Sequence, residues 1–155
     1  MKLSTKGRYG LQALIDLAVH EEEDTVSIQS ISERQGISES YLEQLVRLLK
    51  KAGLVISVRG AGGGYRLARP AGEISVGDIL RALEGDLQAV ACSAYGEDGE
   101  PPCEGADCCV TKLVWKRIND AITQTVDSMM LEELVSRSRQ VLDEKGEEPV
   151  QRCGN

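Results

Sequence analysis

Four cysteines crowd one stretch of this chain: Cys92, Cys103, Cys108 and Cys109, spaced C-x10-C-x4-C-C, with Cys153 near the far end. Thiolates are soft ligands suited to iron–sulfur clusters, zinc or Cu(I), and spacing alone does not choose among them. The CxxC pairs of a zinc ribbon or knuckle are absent. Five is an odd number, so at least one thiol lies outside any set of intrachain disulfides. In a chain read as cytosolic, metal binding or redox chemistry is commoner for such thiols than structural disulfides. The surrounding stretch, 85–109, is rich in Gly, Asp and Glu and carries Pro101-Pro102, so it reads as a polar loop with no core for thiols to fill. The plainer alternative is a set of unmetallated thiols, or vestigial ligands in a protein that senses something else.

A second constellation lies upstream. Ser38, Ser40, Tyr41, Glu43, Gln44 and Arg47 fall on the polar face of one helical stretch. Gln pairs with adenine, Arg with guanine, and Glu accepts from cytosine N4, so this is a face able to read base edges. Further on, Gly60-Ala61-Gly62-Gly63-Gly64 lies between Arg59 and Arg66. Glycines there permit a tight turn and close backbone approach to a phosphate, and the arginines supply charge. Lys2, Lys6 and Arg8 add charge at the start of the chain. The glycine run lacks the GxxxxGK[ST] pattern of a nucleotide phosphate loop. Helix pairs with polar outer faces are common, so each signal is weak alone. Their order gives them meaning.

The elements that must position these residues follow from periodicity and caps. Leu11, Leu14, Ile15, Ala18 and Val19 form the i, i+3, i+4, i+7, i+8 stripe of an amphipathic helix, capped by Ser4 or Thr5 and ended by the acidic run at 21–24. A second helix fits Ile28–Gln35, opening near Ser27 and closed by Gly36. A third runs over about 38–52 with Leu42, Leu45, Val46 and Leu49 as its stripe, and Gly53 stops it. Ser38 is its candidate N-cap, and Ser40 with Glu43 spells a rival capping box. Val55-Ile56-Ser57-Val58-Arg59 and Tyr65-Arg66-Leu67 flank the glycine loop and read as a β-hairpin. Pro70 ends the module, and Ser75 with Asp78 opens a fourth helix through about Leu83. Helix, tight turn, helix and hairpin make a winged helix-turn-helix, whose second paired helix enters the major groove.

After the cysteine loop, Val110, Val114, Ile118, Ile122 and Val126 recur in i+4 steps, with Leu113 and Ala121, along a long helix over about 110–129. A shorter last helix begins at Leu131, Leu134 and Val135. An apolar stripe that follows a complete small domain has no intrachain partner, so dimerisation is its natural use, giving two reading helices for a palindromic site. The expected organisation is a winged helix-turn-helix domain at 1–84 (helix-turn-helix about 28–51, wing about 55–68), a cysteine-rich loop at 85–109, a dimerisation helix and final helix at 110–144, and a disordered tail at 145–155. The fold class is mainly α with a small β-hairpin wing and a long C-terminal helix.

A net charge of −7 argues at first against nucleic acid, but the charge is unevenly spread. Residues 1–70 hold ten Lys/Arg against eight Asp/Glu, whereas 71–155 hold eight against seventeen. A DNA-binding half need be basic only on the face that meets phosphate. Aromatic residues make up 3% and Phe is missing, so the core rests on Leu, Ile, Val and Ala, which suits helices. No apolar run is long enough to span a bilayer, and the first residues lack the apolar segment of a signal peptide, so no membrane partner and a cytoplasmic location are expected.

The run Ile31-Ser32-Glu33-Arg34-Gln35-Gly36-Ile37-Ser38, followed by Ser40-Tyr41-Leu42-Glu43-Gln44-Leu45, resembles the IscR-type transcription regulators. So do Val58-Arg59-Gly60-Ala61-Gly62-Gly63-Gly64-Tyr65 and the opening Leu3-Ser4-Thr5-Lys6-Gly7-Arg8-Tyr9. The resemblance covers roughly residues 1–135. It implies a homodimeric bacterial repressor or activator of iron–sulfur assembly genes. By that likeness the long helix pairs the subunits and the loop holds an iron–sulfur cluster of the [2Fe-2S] kind. Matching the family's three loop cysteines implies Cys92, Cys103 and Cys109 as ligands, with Cys108 an extra thiol. One departure stands out: the family pattern has a His three residues after the third cysteine, and here that residue is Lys112. A protonated Lys has no lone pair to give, and His20, the only histidine, lies in the first helix. The fourth ligand is therefore open among Cys108, Glu104, Asp107, Cys153 and a group from a partner chain. Related nitric-oxide sensors of the NsrR type complete the site with a first-helix carboxylate, which Arg8 and its neighbours do not offer. Rival readings are a cysteine-metabolism (CymR-type), redox or nitric-oxide-responsive repressor of the same superfamily, or a thiol–disulfide enzyme using Cys108 and Cys109. The enzyme is the weakest, since neither a CxxC motif nor a histidine near the thiols supports it.

Overall fold

The computed structural model describes residues 4–21, 24–90, 103, 105 and 108–146. Expectations placed on Cys92, Glu104, Asp107, Cys153 and the tail beyond Gly146 lie outside the described residues.

The first helix, α1 (Thr5–His20), is capped by Ser4, whose side chain accepts from the Lys6 N–H at 3.1 Å. Helix α2 (Ile28–Gln35) opens on Ser27, which accepts from the Ser30 N–H, and closes on Gly36 at φ 66°, a left-handed conformation that costs glycine little. Helix α3 (Glu39–Lys51) starts after Ser38, but that side chain makes no cap hydrogen bond, and the helix also begins ahead of the Ser40–Glu43 box. Strands β1 (Val55–Val58) and β2 (Gly64–Leu67) pair antiparallel, with Val55 opposite Leu67 and Val58 opposite Gly64. Val26 and Tyr65 exchange backbone hydrogen bonds of 2.9 and 2.8 Å, fastening the hairpin to the segment before α2. A 3-10 turn, Ala71–Glu73, leads to α4 (Val76–Glu84), which opens on a reciprocal Ser75–Asp78 capping box. Helix α5 (Lys112–Ser128) begins two residues later than its apolar stripe suggests, with Val110 in the preceding turn. Helix α6 (Leu131–Lys145) ends on left-handed Gly146, so Lys145 belongs to a helix rather than to the expected tail.

Helix α1 lies at the centre, packed against α2, α3, α4, α6 and β2. Leu14 and Leu17 from α1, Ile31 from α2, Leu42, Leu45 and Leu49 from α3, Ile79 from α4 and Leu131 from α6 are each at most 1% exposed. The same core takes in Val135, so α6 closes the helix-turn-helix module although it follows the cysteine loop and α5 in sequence. The expected boundary at residue 84 thus divides elements that share one core. Two backbone bonds hold this closure: Leu131 N–H to Ile74 O and Val76 N–H to Met129 O, both 2.8 Å. Where α1 crosses α4, glycine permits the approach, because a Cβ on Gly10 would collide with the Leu83 side chain.

Helix α5 is different, since none of its residues is buried. Val126, near its C-terminal end, packs beside Val76, Leu80 and Leu87. Toward its start, Val110, Leu113, Val114 and Ile118 are 77, 60, 52 and 38% exposed. No helix among the described residues is long and apolar enough to cross a membrane.

Candidate nucleic-acid interface

Burial of Leu42, Leu45, Val46 and Leu49 sets the rotation of α3. That rotation leaves Ser38, Ser40, Glu43, Gln44 and Arg47 exposed on the opposite side. Tyr41 departs from this group. It is half-buried, its hydroxyl lies 3.2 Å from Thr5 Oγ1, and its ring meets Tyr9 edge-on with centroids 6.0 Å apart. Its packing ties α3 to the start of α1. Arg8 lies with its guanidinium 6.0 Å from the Tyr9 ring centroid. Lys6 shares one concavity with Ser40, Tyr41, Glu43, Gln44 and Arg47, so the first turn of α1 brings a cation to the exposed face of α3.

The hairpin is held beside α3 by Lys50 Nζ, which donates to Ser57 Oγ at 2.7 Å. Its tip turns through Gly60, at φ 112°, where the Gly63 N–H donates to Gly60 O at 3.0 Å. Thr25 Oγ1 donates to Gly62 O, joining the tip to the α1–α2 connection. A Cβ on Gly63 would lie 2.6 Å from Val58 O, and one on Gly64 would lie 2.7 Å from Val26 O, so both must be glycine for packing reasons. Arg59 is exposed beside the tip. Arg66, also exposed, stands across from Ile56 and lines a separate groove with Glu21, Glu132 and Arg139. Glu21 accepts from the Leu67 N–H at 2.6 Å. Burial pushes its carboxyl up, outweighing that hydrogen bond and the charges of Arg66 and Arg139.

Of the thiols, Cys103, Cys108 and Cys109 are free, the first two exposed and Cys109 half-exposed just ahead of α5. Cys109 Sγ lies 3.1 Å from Thr111 Oγ1, and that hydrogen bond, helped by the Lys112 backbone, holds the thiol below its ordinary pKa. The charge of Lys112 adds a smaller pull in the same direction. Accessible thiols with one of them acidified are a donor set that fits a soft metal. Two of the three expected cluster ligands are described, and among the described residues no three His, Cys, Asp or Glu side chains converge. His20 is committed elsewhere, with Nδ1 2.8 Å from Asp16 O on its own helix.

Two residues absent from the sequence reading join these parts. Glu84 Oε1 accepts from the Ser4 N–H at 3.0 Å, the Ser4 hydroxyl at 2.7 Å and the Gly7 N–H at 2.9 Å. Burial works to raise the Glu84 carboxyl, but these bonds and the Lys6 charge together hold it below its ordinary value. Asn119 Oδ1 accepts from the Ala89 N–H at 2.8 Å, binding the segment after α4 to α5. Nothing local in the sequence points to either partner.

Residues 3–137 match the model of the Rrf2 family, described as iron-dependent transcriptional regulators. The chain belongs to the Rrf2 family. Among its relatives, the HTH-type transcriptional regulator IscR of Pectobacterium carotovorum subsp. carotovorum (strain PC1) is 46% identical over 143 residues, covering 92% of this chain and 84% of that protein. A solved structure of T. potens IscR superposes with a TM-score of 0.71 at 46% identity, covering 91% of this chain and 90% of that one. CymR, the global cysteine regulator of B. subtilis, superposes with the same TM-score at 44% identity, over 88% of this chain and 98% of that one. This Rrf2 protein is a DNA-binding transcription regulator of the IscR type with a winged helix-turn-helix fold, and not an enzyme. The thiol–disulfide reading falls with that finding.

Proposed function

We propose that this Rrf2 regulator is a cytoplasmic homodimer that binds a palindromic operator, and that its binding responds to a [2Fe-2S] cluster held by Cys92, Cys103 and Cys109. The observation that carries the reading is the set of free, accessible thiols ahead of α5, Cys103, Cys108 and Cys109. When bound, the cluster supplies metal–thiolate bonds that fix the loop and a charge that varies with redox state. Lys112 supplies no ligand, so the fourth donor is one of Cys108, Glu104, Asp107, Cys153 and a group from a partner chain. Gln44, Arg47 and Glu43 meet base edges in the major groove, with Ser38 and Ser40 beside them. Lys6, Arg8, Arg59 and the Gly60 turn meet the backbone or the neighbouring minor groove, Tyr41 braces α3, and Arg66 stays in its separate groove beside Glu21. The exposed stripe on α5 pairs the subunits, which sets two α3 helices about one helical turn of DNA apart. The regulated genes are those of cluster assembly.

Iron, sulfide and visible absorbance, measured on anaerobically purified Cys→Ala variants, test the cluster. Cys92→Ala, Cys103→Ala and Cys109→Ala lose it, and Cys153→Ala keeps it. Loss in Cys108→Ala makes that thiol the fourth ligand, whereas retention makes it a bystander. A wild-type protein carrying one zinc and no iron, made in iron-replete cells without oxygen, sinks the reading. The similarity to CymR favours a second one, a repressor of cysteine metabolism. A colourless protein free of iron and sulfide is its signature.

A further inference from the structure

Short contacts and one stretch of chain link the segment that leads into the cysteine loop to the exposed face of α3. The segment leading into the loop, 86–90, is fastened down at two points. Leu87 is buried beside Val76 and Leu80, and the Ala89 N–H donates to Asn119 on α5. Two residues before that segment, Glu84 ends α4 and places its carboxylate on the first turn of α1. A single oxygen, Oε1, receives both Ser4 donors and the Gly7 N–H. The next residue, Thr5, meets the Tyr41 hydroxyl of α3, and Lys6 after it shares the concavity of Gln44 and Arg47. The approach leaves no slack. A Cβ on Gly7 would lie 2.6 Å from Glu84 Oε1, and one on Gly10 would strike Leu83. A shift of the end of α4 therefore strains these bonds or carries the start of α1 with it.

We propose that Glu84 is the positioning residue through which the cysteine loop acts on DNA binding, by way of the Ser4–Glu84 and Thr5–Tyr41 links to Lys6 and α3. The proposal rests on reading the loop as a cluster sensor. Glu84 touches neither the thiols nor DNA. A carboxylate at a helix N-terminus makes charge-assisted bonds that are strong for their length, which suits a rigid coupling. The coupling acts as a switch only if the loop binds its group differently in the DNA-competent and incompetent states. A carboxylate that only capped α1 would support both states equally.

The test compares full-length wild type and Glu84→Ala, each cluster-loaded and cluster-stripped, by their affinity for one operator duplex selected from random-sequence DNA with the wild type. The wild type is expected to show a loaded-to-stripped affinity ratio of about tenfold or more in either direction. Glu84→Ala is expected to bring that ratio to within about threefold of unity while its iron and sulfide content stays that of the wild type. A variant weakened equally in both forms, with the wild-type ratio kept, marks a mere structural cap and overturns the proposal. So does a cluster-loaded wild type whose affinity equals that of the stripped protein. A wild type without iron or sulfide overturns the sensor reading itself, and the proposal with it. If Glu84→Ala lacks the wild-type circular dichroism, Thr5→Val decides instead, because it cuts the link to Tyr41 at an exposed site. An unchanged ratio in Thr5→Val overturns the proposal.

Discussion

Asp16, on the buried side of α1, is 3% exposed and is surrounded by partners. Arg34 donates to its carboxylate from Nε at 3.0 Å and Nη2 at 2.6 Å, Gln35 donates at 2.7 Å, and His20 Nδ1 stands 3.7 Å away. A pair this enclosed is weak evidence for net stability, yet removing one member leaves the other charge stranded. Arg34→Ala, which takes the main partner from the buried Asp16 carboxylate, is expected to cost about 3–5 kcal/mol, read as a lower urea midpoint, and a midpoint within error of the wild type would contradict it. At the interface, single residues divide by what they meet. Gln44→Ala should cost about 1–3 kcal/mol and relax preference at one base position. Arg59→Ala should weaken all sequences alike and flatten the salt dependence of binding by about one unit of slope. Binding across operator variants at two salt concentrations separates the two, and unchanged affinity in both variants removes α3 and the wing from the interface.

At the scale of elements, the hairpin depends on two glycines whose α-carbons leave no space above them. Gly64→Ala places a methyl 2.7 Å from Val26 O and pushes apart the backbone pairing of Val26 with Tyr65. The expected cost is about 1–3 kcal/mol with weaker operator binding, and hydrogen exchange at the Tyr65 N–H should speed up. An exchange rate equal to the wild type would show that the hairpin base tolerates the methyl. What sequence made legible was local. Leu42, Leu45, Val46 and Leu49 announce α3, Gly36 announces the turn before it, and Ser75 with Asp78 announces α4, because each signal lies within one or two turns of chain. Ser38 misleads in detail, as its backbone takes the cap conformation while its hydroxyl goes unused. The contacts that join elements were not legible. Ser4 and Glu84 stand eighty residues apart, and Tyr41 carries the same polar hydroxyl whether it faces a base or Thr5.

Among the described residues one apolar surface stays unfinished, the part of the α5 stripe at Leu113, Val114 and Ile118, while Val126 packs against α4. Changing both Ile118 and Ile122 to Glu is expected to give monomers by sedimentation, with operator binding weakened in proportion to the lost second half-site. A variant that remains dimeric shows that another surface pairs the chains. The closing position of α6 has a consequence of its own. Leu131 and Val135 complete the core around α1, yet they are among the last described residues to be joined to the chain. A ribosome that has made only the first 84 residues has joined α1 through α4 to the chain, but not the helix that seals their core. The nascent protein is thus expected to stay protease-sensitive and unable to hold an operator until α6 has cleared the exit tunnel. By then the cysteine loop and α5 have also been made, so on the proposed function the residues for cluster binding and subunit pairing precede the closing of that core.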